Sequence, residues 1–272
     1  MSTPTTPAAH PGTFLWEGRR LAYEEFGSGD HVLVYMHGIL MDSEMNRELA
    51  RSLAERGHRV VLLDLLGHGQ SDKPAHASEY RMDTYAHQVA ACMDHLGVEQ
   101  AVIGGVSLGA NVSLQVAVKA PGRVSGLVLE MPVLEWAVPA AAMLFTPLVL
   151  GLHYAKPLFG ALAKVAARFP STPIAALNSA VRGFSAPPEV LAAILHGVLV
   201  GPVAPSADER HQIKAPSLVI AHKRDLIHPF SDAENLVEQL PDAELVSAHS
   251  SAELRLHPER LTNEIAAFLD RV

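Results

Sequence analysis

Gly105-Val106-Ser107-Leu108-Gly109 sets a serine between two glycines, where an apolar run (Ala101-Val102-Ile103-Gly104-Gly105-Val106) passes straight into a helical stretch (Leu108-Gly109-Ala110-Asn111-Val112). A serine hydroxyl is a weak nucleophile until a neighbouring base takes its proton. A strand-to-helix turn without loop residues exposes such a side chain but holds it in a strained backbone conformation. Neighbouring chains crowd the turn, so small residues are required two positions before and two after, and Gly105 and Gly109 fill them. The helix N-terminus brings free N–H groups and a partial positive charge to the place where negative charge develops in acyl transfer. The N–H of Leu108 is one expected oxyanion donor.

Two further segments stand at comparable strand ends. Val32-Leu33-Val34-Tyr35-Met36 is a buried run ending in His37-Gly38-Ile39, and Val60 to Asp64 runs into Asp64-Leu65-Leu66-Gly67-His68-Gly69-Gln70-Ser71. His37 is expected to hold its loop by hydrogen bonds, and Gly38 to let the backbone turn tightly toward the serine. The second segment reads as a tight turn with capping Asp and Ser. With the His-Gly pair and the serine pentapeptide, its D-x-x-G-x-G-x-S pattern resembles the α/β-hydrolase superfamily over about residues 14–129, and more loosely from Pro216 onward.

The resemblance implies a second oxyanion donor at Ile39 N–H and a triad in the chain order serine, acid, histidine, on loops at the C-terminal edge of the sheet. Pro216-Ser217-Leu218-Val219-Ile220-Ala221 followed by His222-Lys223-Arg224-Asp225 and Pro229 matches the acid segment, so Asp225 is the expected acid. Glu130, at the end of the strand beside the elbow strand, is its rival. The family's base follows the last strand in a Gly-His pair; here Ala248 precedes His249, which is the expected base, with His257 and His228 as alternatives. Serine at position 107 argues against the dehalogenase and epoxide-hydrolase branches, which the resemblance says attack with aspartate there.

These side chains need a rigid scaffold. Val-, Leu- and Ile-rich runs alternate with amphipathic helical stretches, the pattern of a mostly parallel sheet covered on both faces. Strands are expected near Phe14 to Trp16, Leu21 to Glu25, Val32 to Met36, Val60 to Asp64, Ala101 to Val106, Val124 to Leu129, Ser217 to Ala221 and Glu244 to Ser247. The fold class is therefore α/β, with eight strands. Helices fit Glu44 to Arg56, Thr84 to Leu96, Leu108 to Lys119, Ser231 to Leu240 and Pro258 to Asp270. The expected organisation is a loose tail over residues 1–12, a core over 13–131 and 206–272, and a helical lid over 132–205. Ala140 to Leu152, Leu158 to Phe169 and Pro188 to Val200 are its helices, and Trp136, Met143 and Phe145 are expected to present an apolar wall to substrate.

Composition narrows the partners. The chain has 272 residues, with 49% hydrophobic and 18% charged, which is globular rather than disordered. Its formal charge of −8 is interspersed, pointing to neither nucleic acid nor an anionic membrane surface. Residues 137–152 form the most apolar stretch, too short to span a bilayer, so no stable membrane insertion is expected. Met1 to Gly12 lacks a positive start and an apolar core, so a cytoplasmic location is the expectation. The lone Cys92 excludes an intramolecular disulfide, and no zinc-ligand spacing or phosphate loop is present, so neither metal nor cofactor is expected. A second copy of the chain is a candidate partner for an apolar lid.

The reading that follows is two-step hydrolysis of carboxylic esters with small to medium apolar acyl groups. Lactonase, thioesterase, perhydrolase and carbon–carbon hydrolase chemistry uses the same parts. The rival of another class is a non-catalytic module that binds a small apolar ligand on the same fold.

Overall fold

The computed structural model describes residues 8–225 and 227–272. In chain order they form β1 (His10–Trp16), β2 (Arg19–Phe26), β3 (Val32–Met36), α1 (Arg47–Ala54), β4 (Arg59–Asp64), α2 (Met82–His95), β5 (Ala101–Val106), α3 (Leu108–Lys119) and β6 (Val124–Glu130). Then come α4 (Val138–Tyr154), α5 (Lys156–Ala166), α6 (Ala175–Phe184), α7 (Pro188–Val200), α8 (Ala207–Arg210), β7 (Ser217–His222), α9 (Phe230–Gln239), β8 (Ala243–Ala248), α10 (Glu253–Leu256) and α11 (Glu259–Leu269).

The eight strands form one sheet in the order β1-β2-β4-β3-β5-β6-β7-β8. β2 pairs antiparallel with both β1 and β4, and every later pairing is parallel. Of the expected tail, residues 1–7 lie outside the described residues, while His10 to Gly12 belong to β1, with His10 paired with Glu25.

Strand β3 shows why the central strands are apolar throughout. Leu33 and Tyr35 pack with α1 and α11 on one face, while Val32, Val34 and Met36 pack with α2 and α3 on the other. Strict period-two alternation thus feeds two cores. Each fully buried Val or Leu contributes roughly 1.5–3 kcal/mol. Cys92 belongs to the larger core, where burial pushes its thiol up to about 12, so it is no nucleophile at neutral pH.

Between β6 and β7 the alternation gives way to α4–α7. Two buried polar side chains fix this insertion to the sheet. Asn111 on α3 donates from Nδ2 to the carbonyls of Val133 and Val203 (2.6 and 2.8 Å) and accepts from Val133 N–H (2.9 Å), gripping both ends of the segment. Asp232 on α9 accepts from the N–H groups of Leu134, Trp136 and Ala137; burial still leaves its carboxyl above the usual range.

Helix α6 was not expected, and its contacts explain why. Arg182 forks onto the Asp42 carboxylate (2.7 and 2.8 Å), Ser179 Oγ accepts from Asp42 N–H, and Asn178 donates to Glu44. A Cβ on Gly183 would lie 1.8 Å from the Leu40 carbonyl oxygen. This helix is held by polar bonds to the loop after β3: its buried residue is Ser179, while Leu177 and Phe184 are about half exposed, so burial there does not follow hydrophobicity.

Candidate active site

Ser107 sits between β5 and α3 with φ 54° and ψ −107°, a strained region for a residue bearing a Cβ. A Cβ on Gly105 would meet Gly109 Cα at 2.7 Å, and one on Gly109 would meet the Met36 carbonyl oxygen at 2.7 Å. Both glycines are therefore steric requirements of the turn. The N–H of Ser107 donates to the Glu130 carbonyl (2.8 Å), tying the elbow to the end of β6.

The imidazole that reaches this serine is that of His228. Its Nε2 lies 2.9 Å from Ser107 Oγ, and its Nδ1 lies 3.1 Å from Asp225 Oδ2. The Nδ1 contact is close but off the hydrogen-bond axis, leaving Nδ1 without an aligned acceptor. Asp225 is fixed by its own loop, with Oδ1 accepting from the N–H groups of Ile227 (2.8 Å) and His228 (3.0 Å). Burial alone would raise its carboxyl; contact with the His228 ring and these two N–H groups outweigh that and hold it at about 2.

His249 does not take the expected place. Its side chain is 79% exposed, 3.6 Å from Glu253, and its N–H donates to the Glu253 carboxylate. That carboxylate is buried and also holds Arg260, so it folds the chain after β8 into α10 and turns His249 outward. His257 is exposed at the end of α10. Neither ring lines the cavity around Ser107.

Glu130, the rival acid, is engaged elsewhere. Arg255 forks onto it (2.9 and 2.8 Å) and Tyr35 Oη donates to it (2.9 Å), all in the interior. Arg255, Ser251 and Ala252, all beyond β8, line the cavity, whereas His249 and His257 do not. Sequence reading passed over Arg255; its position six residues beyond His249 carried no motif.

Ile39 and Leu108 both line the cavity beside Ser107. Leu108 N–H lies in the first turn of α3, where no intrahelical acceptor exists, and among the described residues neither N–H has a protein acceptor. His37 Nε2 accepts from Leu65 N–H (3.1 Å), so Nδ1 carries the proton and donates to the Gly38 carbonyl (2.8 Å). Gly38 is not the sterically demanding residue of this loop: a Cβ there meets nothing closer than 3.8 Å, and the positive φ falls on Leu40 (56°).

The serine opens into a cavity of about 690 Å³ lined almost wholly by apolar side chains, among them Met41, Met45, Met82 and Met131. Of the three residues expected to form a substrate wall, only Phe145 lines it. Trp136 is displaced because its backbone is tethered to Asp232, and Met143 lies on the outer face of α4, 81% exposed.

Comparison with known proteins agrees with this architecture. A family model described as the alpha/beta hydrolase fold matches residues 31–252. An uncharacterised protein of Mycobacterium tuberculosis is 38% identical over 112 residues; the match spans 41% of this chain and 32% of that relative's own length. A non-heme chloroperoxidase of Streptomyces lividans is 29% identical over 93% of this chain and 97% of its own. Among solved structures, a thermophilic esterase from Thermogutta terrifontis superposes with a TM-score of 0.74 (25% identity, 98% of this chain and 99% of that one).

Proposed function

The chain belongs to the alpha/beta-hydrolase family, and we propose that within it the protein is a serine ester hydrolase for lipophilic acyl groups, with His228 as its base. The observation that carries this reading is the 2.9 Å approach of His228 Nε2 to Ser107 Oγ at a strained strand-to-helix turn. Ser107 Oγ attacks the ester carbonyl as His228 takes its proton, and the N–H groups of Ile39 and Leu108 receive the developing oxyanion. The carbon–oxygen bond of the alcohol then breaks, and His228 returns the proton to the departing oxygen. Water, deprotonated by the same ring, cleaves the acyl-serine and releases the acid. Asp225, negative across the physiological range, favours the imidazolium that forms twice in the cycle.

The cavity supports an apolar acyl group, since a charged one would lose its hydration among methionine and aliphatic side chains. The name of the similar thermophilic esterase points the same way. A binding module without chemistry would have no need of a histidine against the strained serine. A fluorophosphonate probe separates the two: labelling of Ser107 in the wild type, absent in Ser107→Ala and slowed at least a hundredfold in His228→Ala, is expected. An unlabelled wild type would favour the binding module.

A further inference from the structure

Helices α4 and α5 turn their apolar stripes outward. Along α4, Met143, Leu150 and Tyr154 are exposed on one face, with Pro147 between them. Just beyond it, Leu158, Leu162 and Val165 repeat at intervals of four and three, the period of a single helical face, with Phe169 in the turn after α5, and all four are more than half exposed. A water-facing helical surface is normally polar at such positions. The two helices meet at 105°, and among the described residues no single helix is long and apolar enough to cross a membrane.

The charge around these stripes has one sign. No Asp or Glu occurs between Glu135 and Glu189, in a chain whose formal charge is −8. The same stretch carries Lys156, Lys164, Arg168 and Arg182. Arg182 is neutralised by Asp42 and Glu44, whereas Lys156, Lys164 and Arg168 have no carboxylate within 4 Å among the described residues. The acidic whole-chain charge conceals a locally basic, apolar surface.

This surface is continuous with the cavity. Ala142, Thr146 and Ile174 are exposed and also line the space above Ser107. We propose that the outer face of α4 and α5 adsorbs to an anionic lipid surface, with Lys156, Lys164 and Arg168 at the level of the headgroups and the apolar stripes in the boundary beneath them. Apolar stripes flanked by cations and bare of acids are the pattern of helices that lie in such an interface. A second copy of the chain fits less well, because joining these faces would bring the three unpaired cations of each copy together. For the ester hydrolase proposed above, the consequence is that lipid-resident esters are its substrates; that clause alone rests on the hydrolase reading.

The test uses full-length protein, wild type and Ser107→Ala, with sucrose-loaded vesicles of phosphatidylcholine alone or with phosphatidylglycerol. Both proteins should sediment with the anionic vesicles and lose most of that binding in high salt. Lys156→Glu/Lys164→Glu/Arg168→Glu should lower the partition coefficient at least a hundredfold, since each cation near an anionic surface is worth about a factor of five. Leu162→Asp/Phe169→Asp should do the same, and both variants should keep wild-type turnover of a water-soluble short ester. Exposed Trp136, just before the start of α4, should shift its fluorescence to the blue on binding. Absence of wild-type binding to either vesicle overturns the proposal, as does equal binding by the charge-reversed variant. A stable dimer in sedimentation velocity that Leu162→Asp/Phe169→Asp dissociates, with no vesicle binding, would assign the face to a second copy instead. Failure of vesicle binding with Ser107 still labelled by fluorophosphonate leaves the hydrolase reading intact.

Discussion

Replacing His228 by Ala removes the ring nitrogen that, among the described residues, alone contacts Ser107 Oγ, and the structure sets the size of the loss. His249 and His257 are exposed and line no part of the cavity, so among the described residues no other histidine ring is placed to take the proton. A positioned general base contributes about 10²–10⁴ in rate, and loss of a triad member reaches about 10⁶ where the groups act as a unit. A fall in kcat of at least about a thousandfold is expected, or about 4 kcal/mol in the barrier. His249→Ala should stay within about threefold of wild type with a nearly unchanged melting temperature, because its side chain is 79% exposed and lines no part of the cavity. The assay is steady-state turnover of a short p-nitrophenyl ester, with active sites counted by fluorophosphonate labelling. A His228→Ala enzyme retaining a tenth of wild-type kcat, or a thousandfold loss in His249→Ala, would refute the assignment.

Asp225→Asn should lower kcat by about 10–100-fold, less than His228→Ala, because the amide oxygen can still accept the N–H groups of Ile227 and His228 and the lost ring contact is off-axis. With a folded pKa of about 2 against an ordinary 3.8, the Asp225 carboxylate stabilises the fold by up to about 2 kcal/mol above pH 3.8, and that contribution is lost as pH falls through about 2. Chemical denaturation of wild type and Asp225→Asn should therefore converge at low pH; a constant gap would contradict this. Glu130→Gln leaves Arg255 buried without a counter-charge, costing about 3–5 kcal/mol and a drop in melting temperature on the order of 10 °C by calorimetry. An unchanged melting temperature with lost turnover would make Glu130 the acid. Gly38→Ala should be neutral or stabilising within about 1 kcal/mol, whereas Gly109→Ala should cost at least about 2 kcal/mol by urea unfolding, given the 2.7 Å approach to Met36.

The strands were legible because a parallel sheet buried on both faces demands unbroken apolar runs, and the serine turn because its crowding demands glycine at 105 and 109. Asp225 was legible because the run from Pro216 through Asp225 to Pro229 resembles the family's segment of a strand, a short turn and an Asp before a proline. The base could not be chosen between three histidines, since the choice rests on Glu253, a residue whose burial and hold on the His249 backbone are tertiary facts. Position after the last strand favoured His249, but its ring is solvent-exposed and the cavity is lined instead by Arg255, whose partner Glu130 is far away in sequence. Trp136 and Met143 misled for a related reason. Hydrophobicity identifies a side chain that prefers burial, but the tether of Asp232 to the start of the insertion decides which way it faces.

Asp225 and His228 are three residues apart on one connection between β7 and α9, rather than on separate loops after two strands. Displacement of that connection as a rigid unit would keep the two partners together and change a single coordinate, their common distance to Ser107. Proton transfer would then switch on and off with one degree of freedom, without any need to keep two loops in register. The chain just beyond β8 then contributes wall rather than base, through Ser251, Ala252 and Arg255, so changes there would bear on the shape of the cavity and not on proton transfer. The same economy makes the segment from Asp225 to Pro229 a portable cassette, which could be grafted after the seventh strand of a relative whose own base has been removed.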